Sequence, residues 1–306
     1  MKKVLKIILS IVGIILIICV GGSIWAYNYM NNINTVNLRV DDEEKELNIS
    51  SEIKEKSKEK NIENILILGV DKDENASDAI MVLSLDKGNN AIKLTSIMRD
   101  TYVELEGGAD KINYAYNIGG VELSIAKVNE MFNLDINKYI KVDFDGLTNI
   151  IDYLGGVNIN ITEAEREIAN EKIIGDGKTD LIDNFGDVLL TGEQALAYSR
   201  IRIIDSDFKR TERMRNVIFA MFSKLKDISV FDYPKVISDL SSNITTNLNT
   251  SEILDIGKFA VFVDSNKIKQ FRVPIDGTTS DFTDGVYHLN WDVEPNVEAL
   301  HNFIYN

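Results

Sequence analysis

The sequence predicts an α/β fold, an α-β-α sandwich with a central mixed sheet, preceded by one N-terminal transmembrane helix. Three observations support this prediction. Short apolar or alternating runs separated by Gly, Asn and Asp are typical of sheet strands. Segments with apolar residues at helical spacing lie between these runs, and such interleaving indicates a sheet covered by helices. The N-terminus, finally, carries a long stretch without charge.

That N-terminal stretch has the pattern of a membrane anchor. Residues 7–27 contain no charged residue, and Lys2, Lys3 and Lys6 precede them. About 20 apolar residues in a helix span a hydrocarbon core of roughly 30 Å, and lysines on the N-terminal side keep that end in the cytoplasm. A cleaved signal peptide is the alternative, but its apolar region is usually shorter. We therefore expect residues 1–6 to be cytoplasmic, residues 7–27 to cross the cell membrane once, and the remainder to be extracytoplasmic.

Residues 28–60 are expected to form a charged stem that holds the domain off the bilayer. Their second half (41–60, DDEEKELNISSEIKEKSKEK) is charged, lacks aromatic residues and has no long apolar periodicity. Such a segment should be helical only in part. The rest of the chain, residues 61–306, has no internal repeats or proline-rich tracts and should form one globular unit.

Within that unit, strands and helices alternate. Strands are predicted at residues 63–69, 79–85, 91–97, 139–144 and 157–161, with a further strand near 268–273. Helices are predicted at residues 121–132, 146–154, 191–199 and 208–226, with a further helix near 251–262. The helix at 191–199 should begin at a Thr191 cap, with Gln194 in the capping-box position.

Composition excludes several kinds of function. The formal net charge of −15 argues against nonspecific binding to nucleic acid, so nucleic acid is not expected as a partner. The single cysteine, Cys19, lies inside the apolar N-terminal stretch, and the histidines are His288 and His301. A cysteine metal site, a zinc site and a histidine-based catalytic triad are therefore not expected.

Arginines form the first candidate site. Five of the nine in the chain fall within sixteen residues: Arg200, Arg202, Arg210, Arg213 and Arg215. Arginine offers a planar fork of donors that matches phosphate oxygens. Arg210 and Arg213 are three apart on a predicted helix and should share one face, to which Arg200 and Arg202 can also point if the chain is extended there. The alternative is surface pairing with neighbouring acids, Glu193, Asp205, Asp207 and Glu212, which would contribute little stability.

Aspartates at strand ends form the second candidate site. Asp71 follows the first predicted strand, Asp78 begins the second, and Arg99 and Asp100 end the third. Carboxylates grouped in this way suit a hard cation such as Mg²⁺. Single aspartates in loops are more often turn formers or caps, but strand ends of open α/β sheets are where ligands bind.

At these motifs the sequence resembles the LytR-CpsA-Psr family. Seven stretches match in the family's order: ILGVD (67–71), SDAIMVLSL (77–85), SIMRDTYVEL (96–105), DKINYAYNIGG (110–120), VDFDGLTNIIDYLGGV (142–157), LTGEQALAYSRIR (190–202) and DFKRTER (207–213). The resemblance covers residues 61–226, and residues 227–306 would complete the fold or offer a partner surface. It implies a membrane-anchored phosphotransferase that moves a glycopolymer, such as wall teichoic acid or capsule, from polyprenyl pyrophosphate to peptidoglycan.

The resemblance also implies roles for individual residues. Asp71 and Asp78 would hold Mg²⁺ or Mn²⁺. The pyrophosphate clamp would consist of Arg99, Arg200, Arg202, Arg210 and Arg213. Two positions depart from the family pattern, because Ala76 stands where an Arg is common and Met214 where a Gln is common. That Arg215 or Lys72 replaces these donors is a hypothesis.

The expected acceptor is a sugar hydroxyl of peptidoglycan. Asp100 or Asp207 would accept its proton, and the sequence leaves both open. Helices at 121–132 and 217–222 could line an apolar groove for the lipid, but ordinary core is the favoured interpretation of both. The competing functions are a non-catalytic protein that binds or scaffolds the polyprenyl-linked glycan, and a pyrophosphatase that releases the lipid to water.

Overall fold

The computed structural model describes residues 35–71, 75–105, 108–204, 206–229, 232–283 and 287–306. The predicted anchor at residues 7–27 lies outside these ranges. Among the helices that the structure describes, none is long and apolar enough to cross a membrane.

The strands and helices are numbered in chain order. The strands are β1 (Ile62–Asp71), β2 (Ala76–Asp86), β3 (Ala91–Ile97), β4 (Tyr102–Leu105), β5 (Gly108–Lys111), β6 (Lys138–Asp143), β7 (Val157–Ile161), β8 (Gly186–Leu190), β9 (Thr245–Thr246), β10 (Ile268–Val273), β11 (Thr279–Thr283) and β12 (Tyr287–Trp291). The helices are α1 (Glu43–Glu46), α2 (Ser51–Lys60), α3 (Tyr114–Phe132), α4 (Phe144–Tyr153), α5 (Glu163–Gly175), α6 (Gly192–Ser199), α7 (Asp207–Lys226), α8 (Tyr233–Leu240), α9 (Thr250–Phe262) and α10 (Val293–Tyr305).

The central sheet has the strand order β10-β3-β2-β1-β6-β9. It is mixed, as predicted: β1 is antiparallel to β2 and parallel to β6, while β3 is antiparallel to β2 and parallel to β10. The predicted strand at 157–161 is β7, which pairs with β8 in a separate two-stranded antiparallel sheet. The predicted cap of α6 is also present. The Thr191 hydroxyl accepts a hydrogen bond from the Gln194 amide, and the Gln194 side chain accepts one from the Thr191 amide.

Both faces of the sheet are covered by helices because alternate strand residues are apolar on each side. On β1, Leu66 and Leu68 belong to a core shared with α2, α3 and α10. Ile65 and Ile67 belong to a second core, shared with α7 and α9. This arrangement is the predicted α-β-α sandwich.

The described part of the segment expected to be a stem packs against the domain, beginning with the bridge between Thr35 and Thr246 and with Leu38 and Val40, which pack against the first core. Leu47 and Ile53 are buried in the first core. Ser50 caps α2 by accepting from the Ile53 amide at 3.3 Å, and the Asn129 side chain donates to the Leu47 carbonyl at 2.8 Å. The sequence did not predict this packing, because α2 buries only Ile53 and Ser57. A helix that docks through so few residues shows no apolar periodicity.

Candidate functional site

Two aspartates lie at the ends of β1 and β2, where the pairing of the strands shifts. Gly69 is opposite Ala79 and Val70 is opposite Ser77, so Asp78 is the extra residue of a bulge. Bulges re-aim side chains and are common beside functional sites. Asp71 pairs with Ala76 at the strand end, and both aspartates are buried.

Arg99 follows β3 and joins two of the predicted carboxylates. Its Nη1 donates to Oδ1 of Asp78, and its Nε lies 3.6 Å from Oδ2 of Asp100, a distance of an ion pair rather than a hydrogen bond. Burial opposes the charge on Arg99, but Asp78, Asp100 and Asp207 outweigh this effect and raise the pKa of Arg99. The guanidinium therefore remains charged and is fixed in position.

Asp207 and Arg210 form a two-pronged ion pair at the start of α7. Nε of Arg210 donates to Oδ1 of Asp207 at 2.7 Å, and Nη2 donates to Oδ2 at 3.0 Å. Burial disfavours ionised Asp207, but Arg210, together with Arg99 and Arg202, lowers the pKa of Asp207 overall. Its proton affinity is thereby reduced.

Arg202 lies in the same electrostatic neighbourhood. Partial shielding from water and the positive charges of Arg99 and Arg210 lower the pKa of Arg202, against the opposing effect of Asp78 and Asp207. The structure thus brings Arg99, Arg202 and Arg210 together. A surface with three mutually repelling guanidiniums is suited to a polyanion.

Arg213 and Arg215 have other partners. Arg213 donates to Oε1 of Glu165 at 2.7 Å and to the Ile201 carbonyl at 3.2 Å, so it ties α5 to the segment that precedes Arg202. Arg215 donates to the Ser96 hydroxyl at 2.8 Å and to Oε1 of Gln270 at 3.1 Å.

These contacts bear on two sequence-based ideas. Arg210 and Arg213 lie on one helix, but their guanidiniums bond to different carboxylates, so the predicted clamp role of Arg213 remains a prediction. Burial and the charge of Arg272, opposed by Glu212, lower the pKa of Arg215 to about 10. Its bonds to β3 and β10 give it a structural role, while Lys72 lies outside the described residues.

Arg200 contacts a residue of an apolar cavity, while it lines a separate pocket itself, together with charged residues of α4, α5 and α6. Its guanidinium is 4.7 Å from the centre of the Phe144 ring, and Phe144 lines a cavity of about 230 Å³ between the sheet and helices α4 and α7. Further lining residues include Ile67, Ile140, Leu147, Val217 and Met221. The expectation for residues 217–222 agrees with this lining.

The other helix considered for this groove, residues 121–132, packs into the core on the opposite face, which is the interpretation that the sequence favoured. Its apolar periodicity indicated burial but not which face of the sheet it covers. Met214, where the family has Gln, is buried and lines the cavity. This departure therefore extends the apolar wall.

Lys111 and Tyr287 are site neighbours that the sequence reasoning missed. Nζ of Lys111 is 3.0 Å from Oδ1 of Asp100 and lies over the Tyr287 ring, 5.7 Å from its centre. The Tyr287 hydroxyl donates to Asp281 at 2.8 Å. Lys111 does fall in a family-like stretch (110–120), but the C-terminal hairpin that carries Tyr287 has no sequence signal that points to this site.

The possible metal ligands are few. Within the described ranges, no group of three or more His, Cys, Asp or Glu side chains is arranged to hold a metal ion. Asp71 and Asp78 are two buried carboxylates at paired strand ends. Because Mg²⁺ usually takes one or two carboxylates and completes its shell with substrate phosphates and water, this donor set fits Mg²⁺ with a phosphorylated ligand.

Three convergent arginines with buried carboxylates, next to an apolar cavity, define a protein suited to a ligand with an anionic group and an apolar chain. The LytR_cpsA_psr family model matches residues 26–302. The chain belongs to the LytR-CpsA-Psr family.

Individual relatives cover most of the chain. A polyisoprenyl-teichoic acid–peptidoglycan teichoic acid transferase, TagU, of Bacillus anthracis is 33% identical over 300 residues, which are 94% of this chain and 92% of the relative. The TagU of Bacillus mycoides is 34% identical over 305 residues, with the same coverage. Among solved structures, TagT bound to LI-WTA has a TM-score of 0.67 at 26% identity, over 79% of this chain and 90% of TagT. Bacillus subtilis TagV has a TM-score of 0.65 at 28% identity, over 79% and 97%.

Proposed function

We propose that this protein is a phosphotransferase that attaches an anionic glycopolymer, of the teichoic acid or capsule type, from a polyprenyl-pyrophosphate carrier to peptidoglycan. The observation that carries the proposal is the apolar cavity, which is lined by Ala79, the residue after Asp78, and by Phe144, whose ring contacts Arg200. A polyprenyl chain binds in an apolar cavity, and its pyrophosphate binds to cations that are held in fixed positions. The TagU relatives, named for transfer of teichoic acid from polyisoprenyl to peptidoglycan, support the same assignment.

The donor would bind with its lipid in the cavity and its pyrophosphate on Arg99, Arg202 and Arg210. Arg200 would contact the phosphate nearest the lipid, because its guanidinium already stacks on a cavity residue. Arg213 would act indirectly by holding the Ile201 carbonyl, next to Arg202. Phosphoryl transfer depends mainly on such positioning and charge neutralisation.

Asp71 and Asp78 would hold Mg²⁺ or Mn²⁺. When bound, the cation would neutralise charge on the pyrophosphate. The acceptor hydroxyl attacks the phosphorus that carries the glycan, the bond from that phosphorus to the bridging oxygen breaks, and polyprenyl phosphate leaves. The arginines balance the negative charge that develops on the leaving phosphate.

The proton of the acceptor hydroxyl must pass to a carboxylate. Both oxygens of Asp207 are engaged by Arg210, and its pKa is lowered. Asp100 has one oxygen at 3.0 Å from Lys111 and the other at the longer 3.6 Å from Arg99. Asp100 is therefore the better candidate for the general base.

An extracytoplasmic site at the cell membrane is part of the proposal. The uncharged residues 7–27, preceded by three lysines, support a single membrane anchor of that orientation. A membrane-bound polyprenyl donor would then lie beside the domain that uses it.

The decisive experiment fills the cavity. Leu147→Trp in the full-length protein, assayed with Mg²⁺, a polyprenyl-pyrophosphate glycan and peptidoglycan oligomers, should raise the KM for long-chain donor about tenfold or more. Each prenyl CH₂ excluded from the cavity forfeits about 0.8 kcal/mol of burial. Donor with a very short prenyl chain should be affected much less.

Leu123→Trp is the matched control, because Leu123 is a partly buried leucine on the opposite face of the sheet.

The products of the reaction distinguish the competing functions. Covalent glycan–peptidoglycan product supports transfer, free glycan phosphate indicates a pyrophosphatase, and donor binding without turnover indicates a binding protein. An equal response of long-chain and short-chain donors to Leu147→Trp would contradict the lipid site.

A further inference from the structure

Tyr287 presents an exposed aromatic ring beside the candidate general base. The residue is 42% exposed although it belongs to the β12 strand. The ammonium group of Lys111 lies over the Tyr287 ring and also forms an ion pair with Asp100. An aromatic ring left open next to a charged, polar site is a surface on which a ligand can pack.

The hairpin formed by β11 and β12 is docked on the segment that carries Asp100. The Leu289 amide donates to the Asp100 carbonyl at 2.9 Å, and Leu289 also forms a parallel β-bridge with Thr101. The Trp291 indole donates to the Tyr102 carbonyl at 3.1 Å. These bonds hold the Tyr287 ring at a fixed place relative to Asp100, and the bond from its hydroxyl to Asp281 fixes its rotation.

The Tyr287 phenol is held neutral. Burial, the bond to Asp281 and the negative charges of Asp281, Asp100 and Asp207 raise the pKa of Tyr287 to about 12. A phenol with that pKa is neither a base nor a ready proton donor near neutral pH, so its contribution has to come from the ring. The geometric link to the site is Lys111, whose ammonium lies over the Tyr287 ring and 3.0 Å from Oδ1 of Asp100, so the ring stands beside the favoured candidate base.

We propose that Tyr287 binds the acceptor saccharide by stacking its ring against the apolar CH face of a pyranose, while Lys111 orients Asp100 toward the attacking hydroxyl. The inference rests on the proposed function, since that function supplies a sugar as the acceptor. It adds an acceptor subsite that includes the C-terminal hairpin, a part of the chain without a functional motif.

The test compares Tyr287→Ala and Tyr287→Phe with a matched control. Tyr153 is 40% exposed, its hydroxyl donates to Asp239 at 2.9 Å, and Lys235 lies 5.8 Å from its ring centre. It repeats the local chemistry of Tyr287, but its electrostatic partners are Asp239 and Lys235 and include neither Asp100 nor Asp207. Tyr153→Ala therefore removes an equivalent aromatic ring without changing the proposed subsite.

Initial rates are measured with the full-length protein while a tetrasaccharide of alternating N-acetylglucosamine and N-acetylmuramic acid is varied. Tyr287→Ala should raise the acceptor KM about five- to tenfold and leave the donor KM unchanged. Tyr287→Phe keeps the ring and should stay within about twofold of the parent, as should Tyr153→Ala. An unchanged acceptor KM in Tyr287→Ala, or a change only in the donor KM, would overturn the inference.

Direct binding of the same tetrasaccharide, measured by saturation-transfer NMR without donor, separates this inference from the proposed function. If the parent protein transfers nothing but the saccharide binds and loses affinity in Tyr287→Ala, the subsite stands and the transferase proposal falls. If transfer proceeds and Tyr287→Ala binds the saccharide like the parent, the subsite falls alone.

Discussion

At the scale of single residues, Arg202 is the cation whose environment most favours an anionic ligand. Partial burial lowers its pKa, and the positive charges of Arg99 and Arg210 lower it further, so the unliganded protein carries repulsion that a bound pyrophosphate would relieve. Arg202→Ala should leave the melting temperature of the unliganded protein unchanged or slightly higher. Its affinity for inorganic pyrophosphate with Mg²⁺ should fall about tenfold, because charge-assisted bonds are lost.

Thermal unfolding with and without pyrophosphate measures both effects in one titration. Arg39→Ala is the control, since Arg39 is an exposed arginine whose amide bonds Glu122, far along the chain from the cluster. A lower melting temperature without ligand, combined with unchanged pyrophosphate affinity, would show that Arg202 is structural.

Glu165 gives a second residue-scale prediction, which concerns pH. Burial opposes its ionisation, but bonds from Thr162 and Arg213 outweigh burial and lower its pKa below the ordinary value of 4.5. The unfolded chain then binds the proton more readily than the folded protein. The stabilisation is fully present above the unfolded pKa and is lost as pH falls through the lower folded pKa.

Glu165→Gln should therefore cost about 3 kcal/mol of unfolding free energy near pH 7, because Arg213 keeps a buried charge without its ion-pair partner. The loss relative to the parent protein should shrink as pH falls below about 4.5, which urea unfolding at several pH values measures. Gln can still serve in the capping box with Thr162, so the variant isolates the charge. A loss that is the same at every pH would contradict this account.

The sequence predicted the positions of the candidate residues but not their partners. Asp71, Asp78, Arg99 and Asp100 could be predicted because they stand at strand ends, which the apolar runs locate. The partner of Arg213 could not, because Glu165 belongs to α5, a charged helix that buries only Ala169 and Ile173 and so lacks a clear apolar stripe. Pairing between distant elements depends on packing that local patterns do not encode.

At the scale of elements, the predictions were correct where burial produces a regular apolar pattern in the sequence, or where a capping residue fixes the start of a helix. The buried strands β2 and β3 read as apolar runs, and α6 begins at the predicted capping box. The predicted start of α3 was late because Gly119 and Gly120 break the helix, with φ of 66° at Gly120, and the apolar period follows only after that break. The strand β11 was missed because its residues are mostly exposed and give no alternating apolar pattern.

The elements nonetheless bring their candidate residues together at one end of the central strands. Asp71 and Asp78 come from β1 and β2, Arg99 and Asp100 from the turn after β3, and Asp207 and Arg210 from the start of α7. Positive and negative side chains are paired at this end of the strands, where Arg99 binds Asp78 and Arg210 binds Asp207. Such pairing allows a cationic site to persist in a chain of net charge −15, because carboxylates hold Arg99 and Arg210 in place.

At the scale of the whole molecule, the folded unit begins before residue 61. Leu47 and Ile53 are buried in the first core, and Asn129 donates to the Leu47 carbonyl. A protein that starts at residue 61 should therefore be less stable than one that starts at residue 35, by about 4 kcal/mol or more, because each buried aliphatic side chain typically contributes 2–5 kcal/mol. Urea unfolding of the two proteins gives the difference.

Substitutions within α2 test the same packing without shortening the chain. Ile53→Ala in the protein that starts at residue 35 should cost about 2–4 kcal/mol, because the side chain leaves a cavity against Leu47 and the helices of the first core. Glu55→Ala, at an exposed position of the same helix, should change the unfolding free energy by less than about 0.5 kcal/mol. Equal urea midpoints for the proteins that start at residues 35 and 61 would restore the interpretation of this segment as a stem. If the difference is found, α2 is part of the folded domain and supports the central sheet.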